Sequence, residues 1–255
     1  MLPALPSLPS PTLLRGKTIV VTGGTRGIGL AIAHQMLSLG ANVALLASTN
    51  ESCAKAIAAL SPAHPAASFR DPMTATAAAT ATVAASAPAP AAASDSTAVP
   101  ELQQLVAPFV CDVGDEAALE SVFRALPTLF PAPASQLYAC AGVCPQGLLL
   151  RTAPATVTDA FRVNVGGAMS AAKLMLKHAP KGNGAESDYL RVVTFGSIVG
   201  TQGAAGLTLY AATKSAMGTL NPLFGSHDDM CDMFSAFFKP GDDNESSAFG
   251  QRLNE

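Results

Sequence analysis

The segment TGGTRGIG at residues 22–29 constrains this chain more than any other. It follows KTIVVT (residues 17–22), a short β-branched run that predicts a buried parallel strand. It opens residues 29–39, where Ile32, Met36 and Leu39 recur at helical spacing and Gly40 stands where a helix C-cap belongs. Gly23, Gly27 and Gly29 lack a Cβ, so the backbone can turn tightly and approach a pyrophosphate at the helix N-terminus. A purely structural glycine turn would read the same in isolation. The strand-turn-helix setting is what favours a dinucleotide site.

The rest of the chain continues the alternation. Residues 41–47 read as a second strand and 51–60 as a second helix. Residues 105–111, 137–141 and 190–195 read as further strands, and 116–126, 156–178 and 210–220 as helices. Strands alternating with helices predict a Rossmann-like, doubly wound parallel sheet in a three-layer α/β/α arrangement. Residues 17–220 would form this one domain. Residues 61–100 are dominated by Ala, Pro, Ser and Thr and read as a flexible insertion, because few large apolar groups offset the entropy of ordering. Residues 1–16 read as a leader and 221–255 as a divergent tail.

At 255 residues the chain can bury a substantial core. Its net charge of −3 offers no basic field for nucleic acid or an acidic membrane. No apolar run is long enough to span a bilayer. Cys53, Cys111, Cys140, Cys144 and Cys231 show neither disulfide nor metal spacing, which points to reduced thiols. His34, His64, His178 and His227 share no metal spacing, so no metal is expected. The leader lacks a basic n-region, and the expected location is cytoplasm or mitochondrial matrix rather than outside the cell.

Ser197, Tyr210 and Lys214, in GSIVG and YAATK, carry the second chemical signal. Tyr210 and Lys214 are four apart and share a helix face. A phenol titrates near about pH 10, and a neighbouring ammonium would lower that value towards one useful for proton donation. Ser197 could polarise a carbonyl by hydrogen bonding. A Tyr/Lys pair of this spacing also arises by chance on helix surfaces. For the 2′ position of a dinucleotide, residues 46–50 supply no carboxylate, whereas Arg26, Ser48 and Thr49 suit a phosphate. NADPH is therefore the expected cofactor; Arg26 as a solvated loop charge is the competing view.

Taken together, TGGTRGIG, CDV (111–113), CAG (140–142), Asn164, Ser197 and Tyr210–Lys214 resemble the short-chain dehydrogenases/reductases in order and approximate spacing. Within that family AGVCPQGLLLRT and GSIVGTQGAAGLTLYAATK look most like 3-oxoacyl-[acyl-carrier-protein] reductases and related carbonyl reductases. The resemblance implies NADPH-dependent reduction of a 3-oxoacyl thioester in fatty-acid biosynthesis, presented by acyl carrier protein, and a homo-oligomer. It assigns Tyr210 as proton donor, Ser197 as the carbonyl's partner, and Lys214 as both ribose ligand and depressor of the Tyr pKa. Asn164 would hold a relay water, or alternatively bend its helix. Gly23, Thr25, Arg26, Gly27, Ile28, Gly29, Ser48, Thr49, Asp112, Val113, Ala141 and Gly142 would bind the cofactor with Tyr210 and Lys214. Asp112 would read the adenine amino group; its other reading is a cap for the helix after Gly114.

Three departures bear on this. Ala139 and Cys140 stand where the family commonly has two asparagines, and Leu207 where these reductases usually have a polar residue. After Leu220 the family's last two strands are not legible, which predicts a sheet lacking them, with an exposed edge and a reduced dimer surface. A catalytically silent dinucleotide-binding subunit, and a reductase of another small ketone or quinone, are therefore the alternative functions.

Overall fold

The computed structural model describes residues 12–70, 104–178 and 190–220. β1 (Thr18–Thr22) runs through the glycine turn into α1 (Gly27–Ser38). β2 (Asn42–Ala47), α2 (Asn50–Leu60) and β3 (Ser68–Phe69) follow, then β4 (Leu105–Val110), α3 (Glu116–Leu129) and β5 (Ala134–Ala139). The second half holds α4 (Pro154–Phe161), a π-helical turn (Arg162–Gly166), α5 (Gly167–Lys177), β6 (Arg191–Thr194), α6 (Val199–Gln202) and α7 (Thr208–Leu220).

Among the described residues the strands form one parallel sheet in the order β3-β4-β2-β1-β5-β6. Alternate side chains of β1 enter opposite cores, as the strand period of two requires. Ile19 and Val21 pack with Val43, Leu45 and Val106 against Ala33, Met36 and Leu37 of α1 and Leu60 of α2. Val20 packs with Leu46, Phe109 and Leu137 against Leu119, Val122 and Phe123 of α3 and Ala171 and Leu174 of α5. Both faces of the sheet are thus covered, giving the doubly wound three-layer fold.

The elements differ from the sequence expectation in four places. Residues 61–70 are ordered, contrary to the flexible insertion expected from residue 61. Ser68–Phe69 pair with Leu105–Val106, the Ser68 N–H donates to the Gln104 carbonyl, and Phe69 packs on the core. The remainder of the expected insertion, residues 71–100, lies outside the described residues. So do residues 1–11 of the leader and residues 221–255, on which the expectation about the last strands falls. β5 starts three residues earlier than expected, because buried Ser135 and Gln136 are satisfied by hydrogen bonds with the Thr18 carbonyl and the Tyr138 hydroxyl. α3 runs on through Pro127 to Leu129, whereas the sequence reading ended it at Leu126. The long helix expected over residues 156–178 is interrupted by the π-helical turn at Arg162–Gly166.

His64, inside the newly ordered segment, is buried and edge-on to His34, with ring centroids 4.7 Å apart. Burial first, and the His34 charge second, push its pKa below the ordinary imidazole value. Below about pH 6.5 the unfolded chain binds a proton that folded His64 resists, so stability is full above that pH and declines beneath it. Tm measured at about pH 7.5 and about pH 5.5 should fall with acid, and His64→Gln should flatten that slope. An unchanged slope in the variant would remove His64 from the account.

Candidate active site

The chain steps from β1 outward to β2 and β4, then crosses back to β5 and β6 on the other side of β1. At such a reversal the loops leaving the strand C-termini diverge and open a crevice. A cleft of about 700 Å³ lies there, lined by Gly23 and Thr25 to Gly29 after β1 and by Ala47 and Ser48 at the end of β2. Cys111 to Val113 after β4 and Cys140 to Val143 after β5 complete that end.

The glycine turn is in backbone contact with its surroundings. Gly23 has φ +62°, and a Cβ there would meet Ala141 Cα at 2.8 Å. A Cβ on Gly29 would collide with the Gly23 carbonyl oxygen. Arg26, the N-cap of α1, makes no side-chain cap hydrogen bond, and the first turn holds no acidic residue. The helix start that lines the cleft is therefore open to an anion, which meets both the free N–H groups and the positive end of the helix dipole. The cleft also has the volume usual for cofactor sites, about 300–1,000 Å³. The residues present fit a dinucleotide.

Of the expected cofactor residues, Gly23, Thr25, Arg26, Gly27, Ile28, Gly29, Ser48, Asp112, Val113, Ala141 and Gly142 line this cleft. Thr49 does not; its hydroxyl caps α2, accepting from the Ser52 N–H at 3.2 Å, and Ser52 lines the cleft instead. Asp112 is not a helix cap either. Asp115 caps α3, accepting from the N–H groups of Ala117 and Ala118 at 3.0 and 3.1 Å. The Asp112 carboxylate accepts from the Gly114 N–H at 2.9 Å and from Arg162 Nη1 at 2.8 Å. Arg162 and Asp159, both lining the cleft, are the residues that sequence reasoning missed. The spacing of Asp159 and Arg162 suggests an ordinary surface pair, and only the fold brings Asp112 to them.

Ser197, Tyr210, Lys214 and Asn164 stand just beyond the cleft lining and adjoin it through Gly142. A Cβ on Gly142 would lie 3.2 Å from Asn164 Oδ1 and 4.0 Å from Lys214 Nζ. Ser197 follows β6, and Tyr210 and Lys214 ride on α7. α6 and α7 meet closely at Gly200, where a Cβ would come 2.9 Å from the Lys214 carbonyl carbon, and Ser215 Oγ donates to the Gly200 carbonyl at 2.9 Å. That contact brings the Ser197 hydroxyl near enough to the Tyr210 phenol to lower its pKa. Buried Asn164 is held on three sides: Oδ1 accepts from the Val143 N–H at 2.7 Å, and Nδ2 donates to the Val143 carbonyl at 2.8 Å and to Thr213 Oγ1 at 2.9 Å. It sits within the π-helical turn, as its helix-bending reading anticipates.

The electrostatics correct one expectation. Tyr210 is not depressed by Lys214. Burial, then a negative Cys144, raises its pKa, and the Ser197 hydrogen bond only partly opposes them. The reason is geometric: Lys214 Nζ donates to the Phe195 carbonyl at 2.7 Å and stands 5.8 Å from the Tyr210 ring centroid. Burial lowers the Lys214 pKa, with Cys140 and Cys144 opposing. Burial also raises Cys144 and pushes Cys140 up to about 12, so both are neutral thiols near neutral pH.

A KR-domain family model matches residues 17–223. The chain belongs to this family of short-chain dehydrogenases/reductases. The KR domain is 26% identical over 201 residues to the 3-oxoacyl-[acyl-carrier-protein] reductase of Mus musculus, covering 79% of this chain and 64% of that protein. It thus spans slightly less than two-thirds of that curated relative. Among solved structures it resembles an NAD+-bound xylitol dehydrogenase (TM-score 0.59, 21% identity, 81% of this chain and 63% of the other). It also resembles the Pseudomonas aeruginosa RhlG/NADP active-site complex (TM-score 0.60, 23% identity, 84% and 68%). At these identities the solved structures bear on the fold. No described helix of the KR domain is long and apolar enough to cross a membrane, and no group of three or more metal-ligating side chains forms among the described residues.

Proposed function

We propose that this KR domain is an NADPH-dependent oxidoreductase that reduces a carbonyl to an alcohol, with a 3-oxoacyl thioester as its substrate class. The observation that carries the reading is the Lys214 ammonium over the Tyr210 ring, with the Ser197 hydroxyl near enough to lower the phenol's pKa, at the end of the cleft opened by the glycine turn. The name of the mouse relative supports the substrate class.

The cofactor, when bound, supplies a hydride to the carbonyl carbon. Gly23, Thr25, Gly27, Ile28 and Gly29 would hold its pyrophosphate at the start of α1, and Asp112 and Val113 its adenine. Ala141, Gly142, Tyr210 and Lys214 would hold its nicotinamide ribose. Tyr210 gives its hydroxyl proton to the carbonyl oxygen, and Ser197 donates a hydrogen bond to the same oxygen, stabilising the charge that develops there. Lys214 faces the phenolate left behind. Asn164 fixes the Val143 backbone at the mouth of the site and retains acceptor capacity on Oδ1 for a relay water. The raised Tyr210 pKa keeps the proton donor loaded. The rate of reduction is therefore expected to be flat between about pH 6 and about pH 9 and to fall only in stronger alkali. A rate falling tenfold within that window would argue against Tyr210 as the acid.

Arg26 and Ser48 line the cleft where a 2′-phosphate would lie, and no carboxylate ends β2. Arg26→Ala should weaken NADPH about tenfold or more, by loss of a charge-assisted hydrogen bond, while changing NADH little. Calorimetric Kd values for both nucleotides check this; equal losses would contradict it. For the reaction, purified protein is assayed for NADPH oxidation with acetoacetyl-CoA, a small ketone and a quinone. Turnover highest on acetoacetyl-CoA supports the proposal. Turnover confined to the other ketones moves the substrate class, and NADPH binding without any turnover supports a silent binding subunit.

A further inference from the structure

The adenosine end of the cleft holds a charge arrangement that the reaction itself does not use. Arg162 bridges two carboxylates from separate parts of the chain. Its Nη1 donates to Asp112 Oδ2 at 2.8 Å, and its Nη2 and Nε donate to Asp159 Oδ1 at 2.7 and 3.1 Å. Asp112, Asp159 and Arg162 all line the cleft. The guanidinium also lies over Gly114, where a Cβ would collide with it.

We propose that Arg162 is the positioning residue for the adenosine half of the cofactor, fixing and neutralising the carboxylate that reads the adenine. This rests on the dinucleotide reading of the cleft. The side chain of Asp112 is 48% exposed, so an unclamped carboxylate would rotate and hydrate freely. The Gly114 N–H holds Oδ1 and Arg162 holds Oδ2, which fixes the plane of the group while leaving each oxygen a lone pair for an amino donor. The bridge also sets one positive charge between two negative ones. Without it, Asp112 and Asp159 would both repel a phosphate-bearing ligand in the same cleft. Arg suits this task because its planar fork serves both carboxylates at once, which a lysine cannot. Arg162 opens the same π-helical turn that carries Asn164, so one local irregularity serves both ends of the site.

The test uses two ligand fragments on the full chain: adenosine 2′,5′-bisphosphate and nicotinamide mononucleotide. Arg162→Met is expected to weaken the adenosine fragment about tenfold, lost with a charge-assisted bond, and to leave the mononucleotide unchanged. Arg162→Lys, which can still reach one carboxylate and is the safer variant for folding, should recover part of the loss. The loss in Arg162→Met should also shrink at high salt, because screening weakens the repulsion. Unchanged adenosine binding in both variants, or equal losses on both fragments, would overturn the proposal while leaving the dinucleotide site standing. Wild-type protein that binds neither fragment would overturn the dinucleotide reading and this proposal with it.

Discussion

Tyr210→Phe is expected to lower kcat for carbonyl reduction by about two to four orders of magnitude, the contribution usual for a positioned general acid. The substitution removes one oxygen from a half-buried ring and leaves the ring itself in place. The neighbouring Ser197 hydroxyl still accepts from the Val199 N–H, so the strand-to-helix turn should stay intact. Tm should therefore change little, NADPH affinity should weaken by no more than the single ribose contact Tyr210 makes, and the far larger loss should appear in kcat. Steady-state kinetics with acetoacetyl-CoA, alongside a calorimetric Kd for NADPH, read both quantities. A variant that kept wild-type kcat would show that the proton comes from elsewhere.

Gly29→Ala is expected to damage the fold and the cofactor site together. The new Cβ would collide with the Gly23 carbonyl oxygen and sit 3.1 Å from Gly24 Cα, and both are backbone atoms that cannot swing aside. α1 must then move away from the glycine turn. Overpacking of this kind costs about 1–3 kcal/mol, and for a domain this size each 1 kcal/mol lowers Tm by roughly 2–4 °C. The displaced helix start would no longer present its N–H groups to the pyrophosphate, so the rise in Tm that NADPH confers on the wild type should also vanish. Gly27→Ala is the contrast. No atom beyond its own turn of chain lies within 4 Å of its Cβ position, and its φ of +51° imposes only a local conformational penalty. Thermal melts with and without NADPH distinguish the two. An NADPH-induced rise that survives in Gly29→Ala would argue against the glycine turn as the phosphate cradle.

Much of the fold was legible because its signals are local. The β-branched runs of β1 and β2, the glycine turn and the apolar spacing in α1 each declare themselves within a few residues. What escaped depends on distance or on a single residue. β3 has two residues inside an Ala/Pro-rich stretch, too short for any periodic pattern, and it exists because β4 pairs with it. The start of β5 looked polar, since nothing in the sequence shows that Ser135 will meet the Thr18 carbonyl or that Gln136 will accept from the Tyr138 hydroxyl. The π-helical turn inserts one residue into a pattern that otherwise reads as continuous helix.

The candidate site divides in the same way. The glycines, Asp112 and Ala141–Gly142 could be placed from strand ends, because a parallel sheet gathers those ends at one edge. Thr49, two residues past the end of β2, lies outside the cleft lining because it stands at the N-cap of α2 and the cap takes its hydroxyl. The spacing of Tyr210 and Lys214 puts both on one helix face, yet it is silent on the Phe195 carbonyl that takes the ammonium's hydrogen bond. The Asp112–Arg162 pair joins residues 50 apart in sequence, so only the folded chain reveals it.

The most direct trial of the central claim is a single turnover with the KR domain in excess over NADPH and acetoacetyl-CoA, quenched and assayed for 3-hydroxybutyryl-CoA. The account predicts one hydroxyacyl product for each NADPH consumed by the wild type, and almost none from Tyr210→Phe over the same interval. Equal product from both proteins, or NADPH bound by the wild type with the ketone untouched, would contradict it.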